Sequence, residues 1–351
     1  LLRKLRELGD MIIPTGIDYK PGDPEEDALA VTDALPEIED LCFLEVPKFF
    51  SLKGSVVTPA MMLELSRAVQ RVLIRPEVSG VVVTQPADNI EETAYFVSIS
   101  LSDVFQNQNS KPIVFTTCMN PEDPMFDGTK NLLDSIRVAC HDVKGDIPTV
   151  VVCMNGEIHA ASRAQLTHTN KASALASPGW GPVGYVDRDN VYFRCGALEL
   201  DTGLNFPMLK KLTAKVPVVK AMCGDDGALL EMVLEKEPDA IIVEGFGRGN
   251  LPAGMMPAIK KAVKKGIFVV ISTRASSGRV LDSTVFPGSV AQCLESGCLL
   301  AGETTTAKAR LLLMYVLSQK EAIQLKKEDP ERFFAYVQEC LDPVLTNRLF
   351  G

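Results

Sequence analysis

Several features are scarce in this sequence of 351 residues, and each absence excludes a class of protein. Basic residues are outnumbered, with 36 Lys and Arg against 45 Asp and Glu, and the net charge is -9. Without a basic stripe to neutralise phosphates, we expect no nucleic-acid partner. No stretch approaches the roughly 20 consecutive apolar residues that span a bilayer, so no membrane association is expected either.

Cysteine and histidine patterns typical of metal or redox sites are also missing. The nine cysteines show no CxxC spacing and their number is odd, which favours reduced thiols in the cytoplasm over a disulfide framework. Of the three histidines, His141 and His159 have no Cys or carboxylate at ligand spacing, so no metal is expected. The opening segment LLRKLRELGD is charged and amphipathic, and it predicts no secretory signal.

The most informative stretch present is GVVVTQPADNIEETAYF, residues 80–96. Its valines, Val81–Val83, predict a short strand of a parallel sheet covered on both faces. Residues 84–89 then form the loop at the carboxyl end of that strand, and Asp88 or Asn89 is expected to cap the helix that follows. Ligands bind at this end of the strands in open α/β sheets, so the loop is the first candidate for a functional site.

Alternating strands and helices are predicted along the rest of the chain. Thr58 followed by Pro59 is a strong helix start, and the helix is expected to run to Leu73. A composition of 46% hydrophobic and 23% charged residues is ordinary for a globular protein, and the length allows two domains. Further buried strands are predicted at residues 111–115, 150–154, 217–221, 240–244 and 267–272.

Several motifs, in order, resemble those of the bacterial L-asparaginase/glutaminase family: EETAYF, DGTKNLLDS, EIHAA, GPVGY and GRGNLP. The resemblance implies an α/β fold with an N-terminal doubly wound, flavodoxin- or Rossmann-like parallel sheet domain over residues 1–196. It further implies a linker over 197–215 and a smaller C-terminal α/β domain over 216–351 with an extra C-terminal helix. Homotetramers, assembled as dimers of dimers with sites shared between two subunits, are also implied.

The resemblance places family catalytic residues on side chains that lack their chemistry. In the family a threonine attacks the side-chain amide carbon of Asn or Gln, and the acyl-enzyme is hydrolysed with release of ammonia. The family signature Thr-His-Gly-Thr-Asp-Thr corresponds to TQPADN here, so a catalytic threonine falls on Ala87. The lysine that acts as general base falls on Leu166. The first signature, Thr-Gly-Gly-Thr-Ile, is matched by MIIPTGIDYKPGD, as if the nucleophile were deleted.

At other family positions this chain has side chains that could bind a substrate. Asp88 matches the carboxylate that holds the substrate α-ammonium, Ser55 matches a serine at the substrate carboxylate, and Asn250 matches an asparagine that reaches a substrate in a neighbouring subunit. Thr15 is the hydroxyl left near the first strand end, and Tyr19 corresponds to a lid tyrosine. These two are the candidate catalytic residues, although the simpler and favoured interpretation of Thr15 is that it ends a strand and caps a turn with Gly16.

Three functional hypotheses follow. In the first, the protein binds a small amino acid such as Asp or Asn without the usual hydrolysis, because a threonine is a poor nucleophile without a base. In the second, it remains an amidohydrolase that uses a recruited hydroxyl such as Thr15. In the third, it is a structural oligomer or a regulatory partner of an active paralogue. His168 is either a substitute base or a hydrogen-bonded structural residue. The loop GFGRGN is a weak dinucleotide-like pattern without an acidic partner, so no cofactor is expected.

Overall fold

The computed structural model describes residues 10–14, 35–46, 56–107, 111–119, 127–141, 149–194, 205–281 and 284–342. By its internal contacts the chain divides into two compact units, Leu1–Met208 and Leu209–Gly351. Each unit has its own sheet and its own hydrophobic core. In these described ranges no helix is both long enough and apolar enough to cross a membrane.

The first unit is built on a mixed sheet. Its strands are β1 (Asp10–Pro14), β2 (Leu44–Glu45), β3 (Val81–Thr84), β4 (Ile113–Thr116), β5 (Val150–Met154), β6 (Glu157–Ala160), β9 (Gly184–Asp187) and β10 (Asn190–Phe193), while β7 (Gln165–Leu166) and β8 (Leu175–Ala176) form a separate small hairpin. The strand order is β10-β9-β6-β5-β4-β3-β1-β2. The neighbours from β2 to β5 pair in parallel, whereas β6, β9 and β10 are antiparallel.

Helices cover both faces of this sheet. They are α1 (Pro59–Leu73), α2 (Ile90–Ser100), α3 (Ser102–Asn107) and α4 (Gly128–Ala139), with 3₁₀ turns at Pro36–Asp40 and Ala87–Asn89. Val81 and Val83 pack in a core cluster with side chains of α1 and α2, whereas Val82 packs in a second cluster with side chains of α4. Successive side chains of a strand point to opposite faces, so β3 is buried on both. The predicted α/β class with a doubly wound N-terminal sheet is confirmed, with an antiparallel extension at one side.

Helix α1 begins where the sequence predicts. The Thr58 hydroxyl accepts a hydrogen bond from the Met61 N–H at 3.3 Å, and Pro59 occupies the first helical position, where its missing N–H costs nothing. At the other end of the helix, Lys111 Nζ donates to the Leu73 carbonyl oxygen at 2.9 Å. Capping bonds at both ends therefore fix the length of this helix.

The second unit contains a smaller, fully parallel sheet. Its strands, in spatial order, are β11 (Val218–Lys220), β12 (Ala240–Gly245), β13 (Phe268–Thr273) and β14 (Leu299–Leu300). The helices of this unit are α5 (Ala228–Leu234), α6 (Met256–Lys264), α7 (Val290–Glu295), α8 (Thr306–Val316), α9 (Lys320–Glu328) and α10 (Pro330–Leu341). Its short strands alternate with helices along the chain, as the sequence predicts. The smaller C-terminal α/β domain is confirmed.

Helix α10 covers the edge strand β14. The Gln338 side chain is fully buried, and its amide bonds the backbone of Leu300 twice: Leu300 N–H donates to Gln338 Oε1 at 2.9 Å, and Gln338 Nε2 donates to the Leu300 carbonyl at 3.0 Å. A side-chain amide thus takes the place of the next strand. Without it, the outer N–H and C=O of Leu300 would lack these bonds.

Candidate functional site

The topology of the first sheet locates the candidate site. The parallel strands run in the order β2-β1-β3-β4-β5, and the direction of winding reverses between β1 and β3. Ligands of doubly wound folds bind at such a reversal, beyond the carboxyl ends of the strands. Pro14 pairs with Thr84 at the ends of β1 and β3, so the loop after β3 starts at this point. The candidate residues Thr15, Tyr19 and Ser55 lie outside the described residues.

The loop after β3 is stabilised by a buried glutamine. Gln85 is only 4% exposed, and its N–H extends the sheet by donating to the Thr116 carbonyl at 3.1 Å. Its side-chain Nε2 donates to Asn89 Oδ1 and Thr93 Oγ1, both at 3.3 Å. The prediction that Asp88 or Asn89 caps the following helix is confirmed in position only, because Asn89 is the N-cap residue of α2 but its side chain makes no capping bond. A 3₁₀ turn precedes α2, and the Asn89 Oδ1 atom accepts a hydrogen bond from Gln85.

Within this turn, the two positions that matter for the family chemistry differ in exposure. Ala87 is half-buried and Asp88 is exposed. Asp88 lies in the first turn after the strand, near the N-terminal end of α2, where backbone N–H groups favour negative charge. The turn therefore presents a carboxylate, and it presents no hydroxyl at position 87.

Leu166 lies beside the same turn. Its backbone N–H donates to a carboxylate oxygen of Glu91, which is in the first turn of α2. The Leu166 side chain is half-buried and packs against the core cluster that contains Val83 and Ile90. The tertiary structure therefore brings Leu166 and the Ala87–Asn89 turn to one end of the sheet. No local sequence pattern indicates this contact, because Glu91 lies 75 residues before Leu166 in the chain.

His168 and His159 both have structural hydrogen-bond partners. His168 Nδ1 accepts hydrogen bonds from the N–H groups of Asn170 and Lys171, at 3.1 and 3.2 Å, and so holds the turn between β7 and β8. His159 is buried in β6, with Nδ1 2.9 Å from Ser177 Oγ. Burial lowers the pKa of His159, although the nearby Glu157 carboxylate partly opposes this. Of the two alternatives for His168, these contacts favour the structural one.

A buried asparagine joins the ends of the neighbouring strands β4 and β5. Asn131 Nδ2 donates to the Thr117 carbonyl at 2.9 Å and to Asp127 Oδ2 at 3.2 Å. Its Oδ1 accepts from the Asn155 N–H at 2.9 Å. The DGTKNL motif therefore holds the loops after two strands next to the start of α4, which gives this edge of the sheet a fixed shape.

Asn250, the other predicted binding residue, lies in the second unit. It ends the loop 245–250, in which Phe246 and Asn250 exchange backbone hydrogen bonds. Asn250 Oδ1 accepts from the Val290 N–H at 3.2 Å, so this oxygen holds the N-terminus of α7. Gly249 has φ +107°, and a Cβ atom there would lie 2.7 Å from Val280 Cγ1. Only glycine fits this position, and the loop has a defined conformation.

Comparison with known proteins decides the family. Residues 16–197 match the family model described as "Asparaginase, N-terminal", and residues 215–328 match the one described as "Glutaminase/Asparaginase C-terminal domain". The chain belongs to the asparaginase family. The L-asparaginase of Bacillus licheniformis is 30% identical over 300 residues, which are 83% of this chain and 89% of that protein.

Two further relatives show the range of the asparaginase family. A glutamyl-tRNA(Gln) amidotransferase subunit of Pyrococcus horikoshii is 25% identical over 323 residues, 89% of this chain and 71% of that protein. The crystal structure of a probable cytoplasmic L-asparaginase from Campylobacter jejuni superposes with a TM-score of 0.76 at 25% identity, covering 94% of this chain and 98% of that one. Helix α10 starts at Pro330, beyond the end of the matched C-terminal segment at residue 328.

Proposed function

We propose that this asparaginase-family chain binds a small amino acid of the Asp or Asn type and does not hydrolyse it by the family's usual route. The environment of Leu166 carries this proposal. The resemblance places the general base there, yet the side chain packs on the apolar core and the backbone N–H is bound by Glu91. An alkyl group cannot accept a proton, and loss of one positioned base costs roughly 10² to 10⁴ in rate.

Asp88 is the proposed anchor for the ligand. Its carboxylate is exposed at the end of β3, at the reversal of the strand order, where a ligand ammonium could form a charge-assisted hydrogen bond. Ser55 is proposed to contact the ligand as well, and Asn250 is proposed to reach a ligand held by a neighbouring subunit, as the resemblance implies. Ala87 adds to the argument against hydrolysis, because it supplies no hydroxyl in the turn.

The test combines two measurements on the purified protein. We expect no ammonia release from L-Asn or L-Gln at high enzyme concentration and long incubation, beside an active family member as control. Calorimetry should show heat with Asp or Asn at millimolar concentration, and Asp88→Asn should remove it. Asp187→Asn, which changes an exposed carboxylate on β9 in the same unit, should leave the heat unchanged. No heat with Asp, Asn, Glu or Gln would refute the binding proposal and favour a structural or regulatory role.

A restoration experiment tests the reason for the missing hydrolysis. The double variant Ala87→Thr, Leu166→Lys returns the family residues to both positions. If these substitutions are the main obstacle, ammonia release should appear in the double variant and not in Leu166→Met, which conserves volume without adding an amine. If a folded double variant still binds Asp but releases no ammonia, hydrolysis must be prevented elsewhere, at the end of the first strand.

The second candidate function is an amidohydrolase that releases ammonia. The alignment with an L-asparaginase over 83% of this chain and 89% of the relative favours it. The proposed catalytic residues are then Thr15 as nucleophile and Tyr19 as its lid partner. Thr15→Ala should abolish turnover in that case, and undiminished turnover in this variant would exclude Thr15 as the nucleophile.

We further propose a homotetramer located in the cytoplasm. Tyr185 and Tyr192 stack at 5.0 Å on the outer hairpin of the first sheet, and each is almost half exposed, which is typical of interface aromatics. The thiols of the described cysteines are free, as in a reducing compartment. Sedimentation of the wild-type protein and of the Tyr192→Glu variant tests the assembly. We expect the added negative charge to dissociate the tetramer.

One relative is named as a subunit of an amidotransferase. Co-sedimentation of this protein with an active paralogue therefore tests the regulatory alternative.

A further inference from the structure

Helix α7 ends in a motif that brings two cysteines together. Gly297, with φ +87°, follows the helix. The Cys298 N–H donates to the Cys293 carbonyl at 3.0 Å, and the Gly297 N–H donates to the Leu294 carbonyl at 2.9 Å. This pair of bonds defines a Schellman motif, in which the side chains of the two outer residues are normally apolar and touch. Here both outer residues carry thiols.

The geometry of the two residues is compatible with a disulfide. The hydrogen bond from the Cys298 N–H to the Cys293 carbonyl holds the backbones of the two residues in direct contact. Disulfides span Cα separations of roughly 4.4 to 6.8 Å. Both side chains are buried in the core of the second unit, at 0% and 1% exposure, and the Cys293 Sγ atom also lies 3.8 Å from Met256 Sδ. The two thiols therefore lie in the same part of the core, on residues whose backbones are in direct contact.

We propose that Cys293 and Cys298 form an oxidation site, closed by a peroxide into an intramolecular disulfide and reopened by a dithiol reductant. In the first step the Cys293 thiolate attacks one oxygen of hydrogen peroxide and the O–O bond breaks. Cys293 becomes a sulfenic acid, and the departing hydroxide takes a proton to become water. The Cys298 sulfur then attacks the Cys293 sulfur, the S–O bond breaks and a second water leaves. The two thiols are oxidised by two electrons, and the peroxide is reduced.

The two sulfurs have different surroundings. Contact with Cys298 lowers the pKa of the Cys293 thiol, whereas the same contact and burial raise the pKa of Cys298. We assign the first attack to Cys293 because the thiolate is the reactive form, and the linked product is the same if the order is reversed. Other buried thiols have different partners: Cys153 hydrogen-bonds Ser135 and its pKa is raised to about 12 by burial.

The disulfide would close a short loop at the end of α7. The other end of this helix is held by Asn250, whose Oδ1 accepts from the Val290 N–H. Once Cys293 and Cys298 are joined, both ends of α7 are fixed. Because a crosslink restricts local opening, amide exchange at Gly297 and Cys298 should slow roughly tenfold or more after oxidation. Because both sulfurs are buried, the reaction depends on such opening and should be slow.

The experiment treats the full chain with hydrogen peroxide, blocks the remaining thiols under denaturing conditions, and maps peptides by mass. We expect a tryptic peptide that contains both Cys293 and Cys298, is lighter than its reduced form by about 2 Da, and is reopened by dithiothreitol. Cys293→Ala and Cys298→Ala should each abolish this species, and Cys340→Ala, which removes a buried cysteine on α10, should retain it. Each variant is first checked for native circular dichroism and thermal unfolding.

Several outcomes would overturn the proposal. One is an intramolecular disulfide that persists in Cys293→Ala, since it must then join other cysteines. Another is a wild-type protein that gains oxygen atoms on sulfur without forming the Cys293–Cys298 link. If both alanine variants fail to fold, the slowed amide exchange of the oxidised wild-type protein remains as an independent readout. Unchanged exchange at Gly297 after oxidation would then refute the proposal.

Discussion

Replacing Gln338 by leucine should destabilise the second unit by about 2 to 4 kcal/mol. Leu300 would lose both bonds from the Gln338 amide, at 2.9 and 3.0 Å, in a site where both residues are fully buried. Each buried polar group left unpaired costs roughly 1 to 3 kcal/mol, and the added apolar surface of leucine returns part of this. Unfolding of the unit should occur at a temperature lower by roughly 5 to 15 °C.

Hydrogen exchange at the Leu300 amide is the sharper assay for this prediction. That N–H donates directly to Gln338, so its protection should fall by roughly one to three orders of magnitude in the variant. Gln324→Leu is the matched control: Gln324 is exposed on α9 and its amide donates to the Glu328 side chain at 2.8 Å, so its loss should change stability by less than about 0.5 kcal/mol. Equal effects of the two substitutions would refute the assignment of Gln338 as the cover of the sheet edge.

The substitution Gln338→Glu predicts the direction in which stability changes with pH. It keeps an acceptor for the Leu300 N–H but loses the donor to the Leu300 carbonyl unless the carboxyl is protonated. Burial should raise its folded-state pKa above the unfolded value of about 4.3. The stability that it contributes is therefore present below about pH 4.3 and is lost as the pH rises through the folded-state value. Relative to wild type, Gln338→Glu should be less destabilising in acid than at neutral pH, and the opposite trend would contradict the geometry.

Three further predictions concern the first unit and the loop at Asn250. Burial lowers the pKa of His159 below its usual 6.5. The contribution of His159 to stability is therefore present above pH 6.5 and is lost as the pH falls through the folded-state pKa. His159→Gln should make the free energy of urea unfolding less dependent on pH below 6.5. Asn131→Leu removes three hydrogen bonds and should cost about 2 to 5 kcal/mol in urea unfolding, and a loss below about 1 kcal/mol would contradict its joining role. Gly249→Ala should cost about 1 to 3 kcal/mol, since its Cβ would strike Val280, and a neutral result by calorimetry would contradict the close packing of this loop.

The sequence by itself determined the local structure of the first unit. The valine run specified β3, Thr58 and Pro59 specified the start of α1, and the motif order specified the family and hence the fold. These features depend on neighbouring residues, whose periodicity and capping chemistry can be read directly. The position of Asp88 at a strand end was readable for the same reason.

The tertiary structure decided which distant side chains meet. Glu91 binds the backbone of Leu166 across 75 residues, and Gln338 binds Leu300 across 38. Chain crossovers and sheet order set such contacts, and no local pattern encodes them. Asn89 occupies the expected cap position of α2, but its side chain accepts a hydrogen bond from the buried Gln85 and makes no capping bond to the helix. The candidate residues could be chosen from the sequence alone. Which groups their polar atoms bind depends on the tertiary structure.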